Sequence, residues 1–171
     1  MAISRVIKAL NNLSKSFSDI DDDFFRERTK DYGEKIQDRL LDGIVRGYDT
    51  EGKTFKGLAK RTLANRRGQG INHRRPLIAK NESILNFLQS SDLIQAGKVQ
   101  VKLKPADDNE YMFDHNEGFT TGGFLPGKTV PARKWYGIPK TYKEGGTQYE
   151  LFLNKIIKEI NNKIKSAVNE S

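Results

Sequence analysis

The chain has 171 residues and no cysteine among them. That removes a disulfide framework, a thiolate metal site and every cysteine-based zinc finger, and it is compatible with a reducing cytoplasm. Histidine is almost as scarce, with only His73 and His115. Long hydrophobic runs are missing too. No stretch approaches the roughly 20 apolar residues of a membrane span. The apolar residues of the first 17 positions are spaced helically and never form a continuous block, so a signal peptide is not expected. Hydrophobic residues make up 36% of the chain and charged residues 30%. The first figure is below the usual level for a globular chain and the second above it, a balance that suits helices extending over a partner better than a compact enzyme.

What is present begins with positive charge. The net charge is +8, and a positive field attracts polyanions or acidic protein surfaces without needing a particular fold. From Gly52 to Asn81 there are nine Lys or Arg residues and no acidic one. Within that run Arg61, Arg66, Arg67, Arg74 and Arg75 are the candidates for contact with DNA phosphates or an acidic surface. Such contact would be indifferent to base sequence and sensitive to salt. The plainer alternative is a solvated loop, or one that meets an acidic neighbouring subunit.

Periodicity organises the rest. Ile3, Val6, Ile7, Leu10, Leu13 and Phe17 recur at three- and four-residue steps and define an amphipathic N-terminal helical arm over 1–18. The Asp19 to Asp23 cluster offers capping oxygens and negative charge to a second, longer helix running toward Val45, with Phe25, Thr29, Tyr32, Ile36, Leu40 and Ile44 as its inward stripe. Residues 47–80 read as a basic loop carrying a short helix around Leu58 to Arg66, and Asn81 to Ser83 can cap another short helix ending at Leu88. Val99, Val101 and Leu103 alternate with polar residues as a half-buried strand does. Tyr111 to His115 is expected to pair with it, and Val130 to Ile138 supplies a third strand, after a Gly-rich loop over 118–128. Thr147 and Glu150 form a capping box ahead of a C-terminal helix with Tyr149, Phe152, Leu153, Ile156, Ile160, Ile164 and Ala167 on one side. That helix is expected to pack across the sheet. The fold class is α+β: one domain over 1–171, with a small antiparallel sheet of three to four strands, covered by the long second helix and the C-terminal helix. The N-terminal helix and the basic loop project from it.

No set of residues is arranged for chemistry. His115, Asn116 and Glu117 contain ligand types, but a metal or general-base site needs several converging groups, and His73 lies among arginines. Asp21, Asp22 and Asp23 are neighbours at a helix start and do not face one point. Gly122-Gly123 and Gly145-Gly146 lack the strand, loop and helix context of a phosphate cradle. Neither a catalytic residue, a metal nor a cofactor is indicated. The hot-spot residue types gather instead at Pro131, Arg133, Trp135 and Tyr136. Strand alternation puts Arg133 and Trp135 on one side, which makes that pair the expected exposed or intersubunit patch.

Two blocks carry a family resemblance. The first is His115-Asn116-Glu117-Gly118, a variable loop, then Val130-Pro131-Ala132-Arg133, an aromatic pair and Gly137. The second is Glu51 to Ala64, with Gly52, Phe55, Gly57, Leu58 and the Thr62-Leu63 start of a basic segment. In order and spacing these resemble the tail-completion, or virion-morphogenesis, proteins of tailed bacteriophages. Phe55 stands where that family usually has Trp, and the Thr-Gly pair that usually follows Pro-Leu is missing after Pro76-Leu77. The resemblance implies a non-enzymatic structural protein of the virion neck or tail top, present in the host cytoplasm during assembly. It also implies a homo-oligomeric ring of six subunits engaged in head-tail joining, beside connector and tail-terminator or tail-tube proteins. Genomic DNA in the ring's lumen would be a secondary contact. The rival reading from the charge alone is a basic nucleic-acid-binding protein.

Overall fold

A computed structural model describes residues 2–71, 76–78, 83–91, 93–97, 100–104, 114, 116–120 and 127–169. The architecture is α+β. In chain order the helices are α1 (Ala2–Ser18), α2 (Asp22–Arg46), α3 (Lys60–Gly68) and α4 (Ser83–Leu88), and α5 (Thr147–Asn169) closes the described chain. Between α4 and α5 come strands β1 (Ile94–Ala96), β2 (Val101–Leu103), β3 (Phe119–Thr120) and β4 (Thr129–Val130), then a 3-10 turn at Lys140–Tyr142. Among the described residues these strands form two separate two-stranded sheets, β1 with β2 and β3 with β4, where one sheet of three or four was expected. The partner of β2 is therefore β1. Of the segment expected to pair with it, Asp114 lies in a helical turn and the other residues fall outside the described ones.

The chain groups into two compact units, and α2 contributes to both. The first comprises Met1–Gly33, Ala96–Lys102 and Thr141–Ser171. In it α2 starts where the Asp cluster places it, because Asp21 Oδ1 accepts the Phe24 amide at 2.9 Å and satisfies one of the orphan donors of the first turn. Phe24, not Phe25, is the buried member of the aromatic pair. The Tyr32 ring stacks on Phe152 at 4.3 Å, and its hydroxyl donates to the Tyr142 carbonyl at 2.8 Å. That burial, with Tyr142 and Tyr149 close by, raises the Tyr32 pKa to about 12. Arg28 lies 4.0 Å over the Phe24 ring and donates to Glu159 at 2.9 Å, which ties α2 to α5. Along α5, Ile156 and Ala167 are buried, and the other members of the expected stripe are half-buried.

Helix α1 packs along α5 and is not a free arm. The C-terminal helix accordingly finds its main partners in this unit in α1, Phe24 and Tyr32, where a sheet was expected. Helix α5 also begins one residue before its capping box would place it, since the Glu150 amide is already bonded by the Gly146 carbonyl at 3.0 Å.

The second unit comprises Glu34–Gln95 and Leu103–Lys140. Ile36, Leu40 and Ile44 of α2 are buried there, as are Phe55, Ile71, Leu77, Ile78, Ile84, Leu88, Leu93 and Trp135. Burying each such side chain contributes about 1.5 to 3 kcal/mol, so this apolar set is the main stabilising element of the unit. Gln37 Nε2 donates to the carbonyls of Leu88 at 2.6 Å and Ser90 at 3.2 Å, which fixes the end of α4 against α2. The Gly43 carbonyl accepts from both Gly47 and Tyr48 at 2.7 Å and ends the long helix.

Candidate interaction surfaces

The segment from Pro131 to Pro139 is not a strand beyond Val130. Pro131 and Pro139 have no amide hydrogen to give a ladder. The donors and acceptors between them go elsewhere. The Trp135 amide turns back to the Arg133 carbonyl at 2.6 Å, and the Tyr136 amide donates to Asn116 Oδ1 at 3.0 Å. The Lys134 carbonyl accepts from Thr50 at 2.8 Å, and the Thr50 carbonyl accepts from Lys140 at 3.0 Å. The Tyr136 hydroxyl donates to the Lys104 carbonyl. Residues from three distant parts of the sequence, around Thr50, Lys104 and Asn116, thus meet on this one segment.

This overturns the expected exposed patch. Trp135 is only 2% exposed and Arg133 only 5%. The indole meets Phe87 edge-on at 6.3 Å and Tyr136 at 5.3 Å. The Arg133 guanidinium donates to the carbonyls of Lys56 at 3.3 Å and Pro131 at 3.5 Å. Two backbone carbonyls hold that cation inside, and alternation along a strand could not reveal them because no strand is there. Pro131 and Tyr136 are half-buried and complete the same knot. Arg133 and Trp135, expected on an exposed patch, are thus part of the framework of the second unit.

The two parts of the His-Asn-Glu-Gly and Val-Pro-Ala-Arg pattern meet in space. Phe119 pairs with Val130 and Thr120 with Thr129 in the β3–β4 ladder. Asn116 is buried, accepts from Tyr136 and donates to Glu117 at 2.8 Å. Gly118, at a φ of +80°, lies against Val130 and Ala132. His115 itself falls outside the described residues.

The basic run is divided in the same way. On α3, Lys60, Arg61 and Arg67 are exposed, and no residue of that helix is buried. Arg66 is different. Its guanidinium donates to the Ile78 carbonyl at 2.8 Å and the Pro76 carbonyl at 2.9 Å, so it staples the chain beyond α3 and is a poor phosphate ligand. Lys53 is held by Glu51 at 2.6 Å, and that contact with Lys53 depresses the Glu51 pKa. Arg74 and Arg75 fall outside the described residues. Among the described residues no group of His, Asp or Glu side chains could hold a metal ion, and no helix is long and apolar enough to cross a membrane.

The largest exposed apolar side chains lie elsewhere. On α1 they are Ile7 (54% exposed), Leu10 (59%) and Phe17 (59%), while Leu13 on the edge of the same stripe is half-buried. On α5 they are Leu151, Ile157 and Val168. Val45 and Tyr48 are exposed at the end of α2. Comparison with protein-family models, curated proteins and solved structures finds no match.

Proposed function

We propose that the chain is a structural, non-enzymatic assembly protein of a tailed-phage virion, of the tail-completion kind. It forms a ring of copies at the neck or tail top and joins neighbouring connector and tail proteins. One observation carries the self-assembly: an amphipathic helix leaves the middle of its apolar stripe in water. Single exposed apolar residues are ordinary, but Ile7, Leu10 and Phe17 share one face of one helix, and contiguous apolar surface of that kind marks a protein or membrane contact. The placement at the neck rests on the resemblance of the two sequence blocks. Its support is that Asn116, Gly118, Val130, Ala132 and Tyr136 make one structural knot, which gives that pattern of residues a physical reason.

Negative-stain imaging of the purified full chain at micromolar concentration tests the ring. Closed rings of one size are expected, whereas single small particles at every concentration would remove the reading. A second reading, contact with nucleic acid, draws on the exposed Lys60, Arg61 and Arg67 of α3. It requires duplex retention that falls steeply with salt.

A further inference from the structure

Helix α3 has nine residues and none of them is buried. Only Leu63 and Arg66 are half-buried, and they lie one turn apart, so they mark the side turned to the protein, where Arg66 holds the carbonyls of Pro76 and Ile78. Lys60, Ala64 and Arg67 follow one another at i, i+4 and i+7 and share a face, with Arg61 and Gly68 on the adjoining one. All five are exposed. At 3.6 residues per turn the three cations fan over roughly 120° of the helix surface with Ala64 in the middle, and Lys60 and Arg67 lie about 10 Å apart along the axis. A Cβ on Gly68 would meet nothing within 4 Å, so the space beside Arg61 is open. Among the described residues no carboxylate pairs with Lys60, Arg61 or Arg67, whereas Arg28, Arg46 and Lys53 each have one.

We propose that this face of α3 binds the phosphate backbone of duplex DNA, an inference that rests on the nucleic-acid reading and adds the surface and the ligand group. An acidic protein fits the face less well. Protein interfaces are organised around apolar or aromatic anchors in a desolvated centre, and the exposed side of α3 offers only Lys, Arg, Thr, Ala, Asn and Gly. The large exposed apolar side chains lie on other helices. Single strands are held by bases stacked on aromatic rings, and no residue of α3 is aromatic. Phosphates need neither anchor nor ring. Each is neutralised by one Lys or Arg with release of counterions, so the contact ignores base sequence and weakens with salt by a fixed slope per cation. A helix with Ala64 and Gly68 on its outer side can approach the wide major groove of B-DNA, about 12 Å across, while the major groove of A-form RNA is too deep and narrow to receive it. Arg66 serves the contact indirectly, by fixing the chain beyond α3.

Salt titration of the full-length protein on a mixed-sequence DNA duplex tests this. Replacing Lys60, Arg61 and Arg67 by glutamine keeps helix propensity. It is expected to lower the slope of log affinity against log salt by about 2.7 per chain, which is roughly 40-fold in affinity between about 50 and 200 mM salt. Ala64→Glu sets a carboxylate among the three cations and is expected to weaken retention by about tenfold at low salt, with the thermal midpoint unchanged. Replacing Lys8, Lys15 and Lys35, exposed on α1 and α2, by glutamine removes the same net charge and is expected to leave the slope close to wild type. An equal drop in both triple variants would mean that only net charge matters, and the assignment to α3 would be wrong. If wild type is retained and the α3 variant keeps its slope, the contact lies on another surface, and the proposal fails while the nucleic-acid reading stands. A wild type that is not retained at any salt removes both. If the α3 variant instead loses retention on immobilised polyglutamate with duplex binding unchanged, the partner is an acidic protein. Tighter binding of an RNA duplex, with the change of slope seen there and not on DNA, would also overturn the proposal.

Discussion

Gly118 and Ala132 approach so closely that a Cβ on Gly118 would sit 2.6 Å from the Ala132 amide nitrogen and 2.9 Å from the Val130 carbonyl oxygen. Both atoms belong to backbone and cannot swing away. Gly118→Ala therefore combines a left-handed φ with a steric clash, and it should destabilise the second unit by more than the roughly 1 kcal/mol that such a φ costs alone. Gly127→Ala is the control, since its φ is +78° and nothing lies near its Cβ position. Urea denaturation of the two variants should separate them clearly. Equal losses would mean that the close approach to Ala132 is not real.

Trp135 belongs to the core, and this decides what its removal does. Trp135→Ala should cost about 3 to 5 kcal/mol of folding stability, the usual range for truncating a large buried aromatic. Asn116→Ala, which takes the acceptor away from the Tyr136 amide, should cost about 1 to 3 kcal/mol. A Trp135→Ala protein with an unchanged urea midpoint and lost assembly would return that side chain to the surface.

Arg66 and Arg67 are adjacent in sequence and opposite in role. Arg66→Ala strips the donors from two carbonyls and should lower the thermal midpoint measurably, while Arg67→Ala, on the exposed side of α3, should leave it within experimental scatter. Differential scanning fluorimetry on the two variants is sufficient. Were both neutral, the staple to Pro76 and Ile78 would carry no weight.

Tyr32 makes the first unit sensitive to alkali. Its pKa is raised to about 12 from 10.0, with burial the main cause. A raised folded-state pKa means the contribution is fully present below pH 10 and is lost as the pH climbs through 12, because the unfolded chain gives up the phenolic proton first. Wild type should lose stability over that window faster than Tyr32→Phe, which has no proton to lose. Parallel slopes of unfolding free energy against pH for the two proteins would show that the hydroxyl is not confined.

The long helices α1, α2 and α5 were legible in the sequence because each has a periodic apolar stripe of its own. The start of α2 could be read because Asp21 reaches only three residues ahead to its amide. The segment after Val130 was not legible as it stands. Val130, Trp135, Tyr136 and Ile138 are strand-favouring residue types and imitate a strand, but the hydrogen bonds of this segment run to Thr50 and Asn116, which no local pattern reveals. Arg133 was misplaced for the same reason, since its acceptor on Lys56 is 77 residues away. The exposed stripe of α1 needed both levels: periodicity names its members, and only the packing on α5 shows which edge of the stripe is used and which is left in water.

Sedimentation velocity of wild type beside Leu10→Ser/Phe17→Ser tests the assembly role of α1 most directly. Wild type should sediment as a closed multiple of the 19.4 kDa chain, and the double variant as a single chain with its helical content intact. Identical sedimentation of the two proteins, or a wild type that remains one chain up to the highest concentration reached, would contradict it.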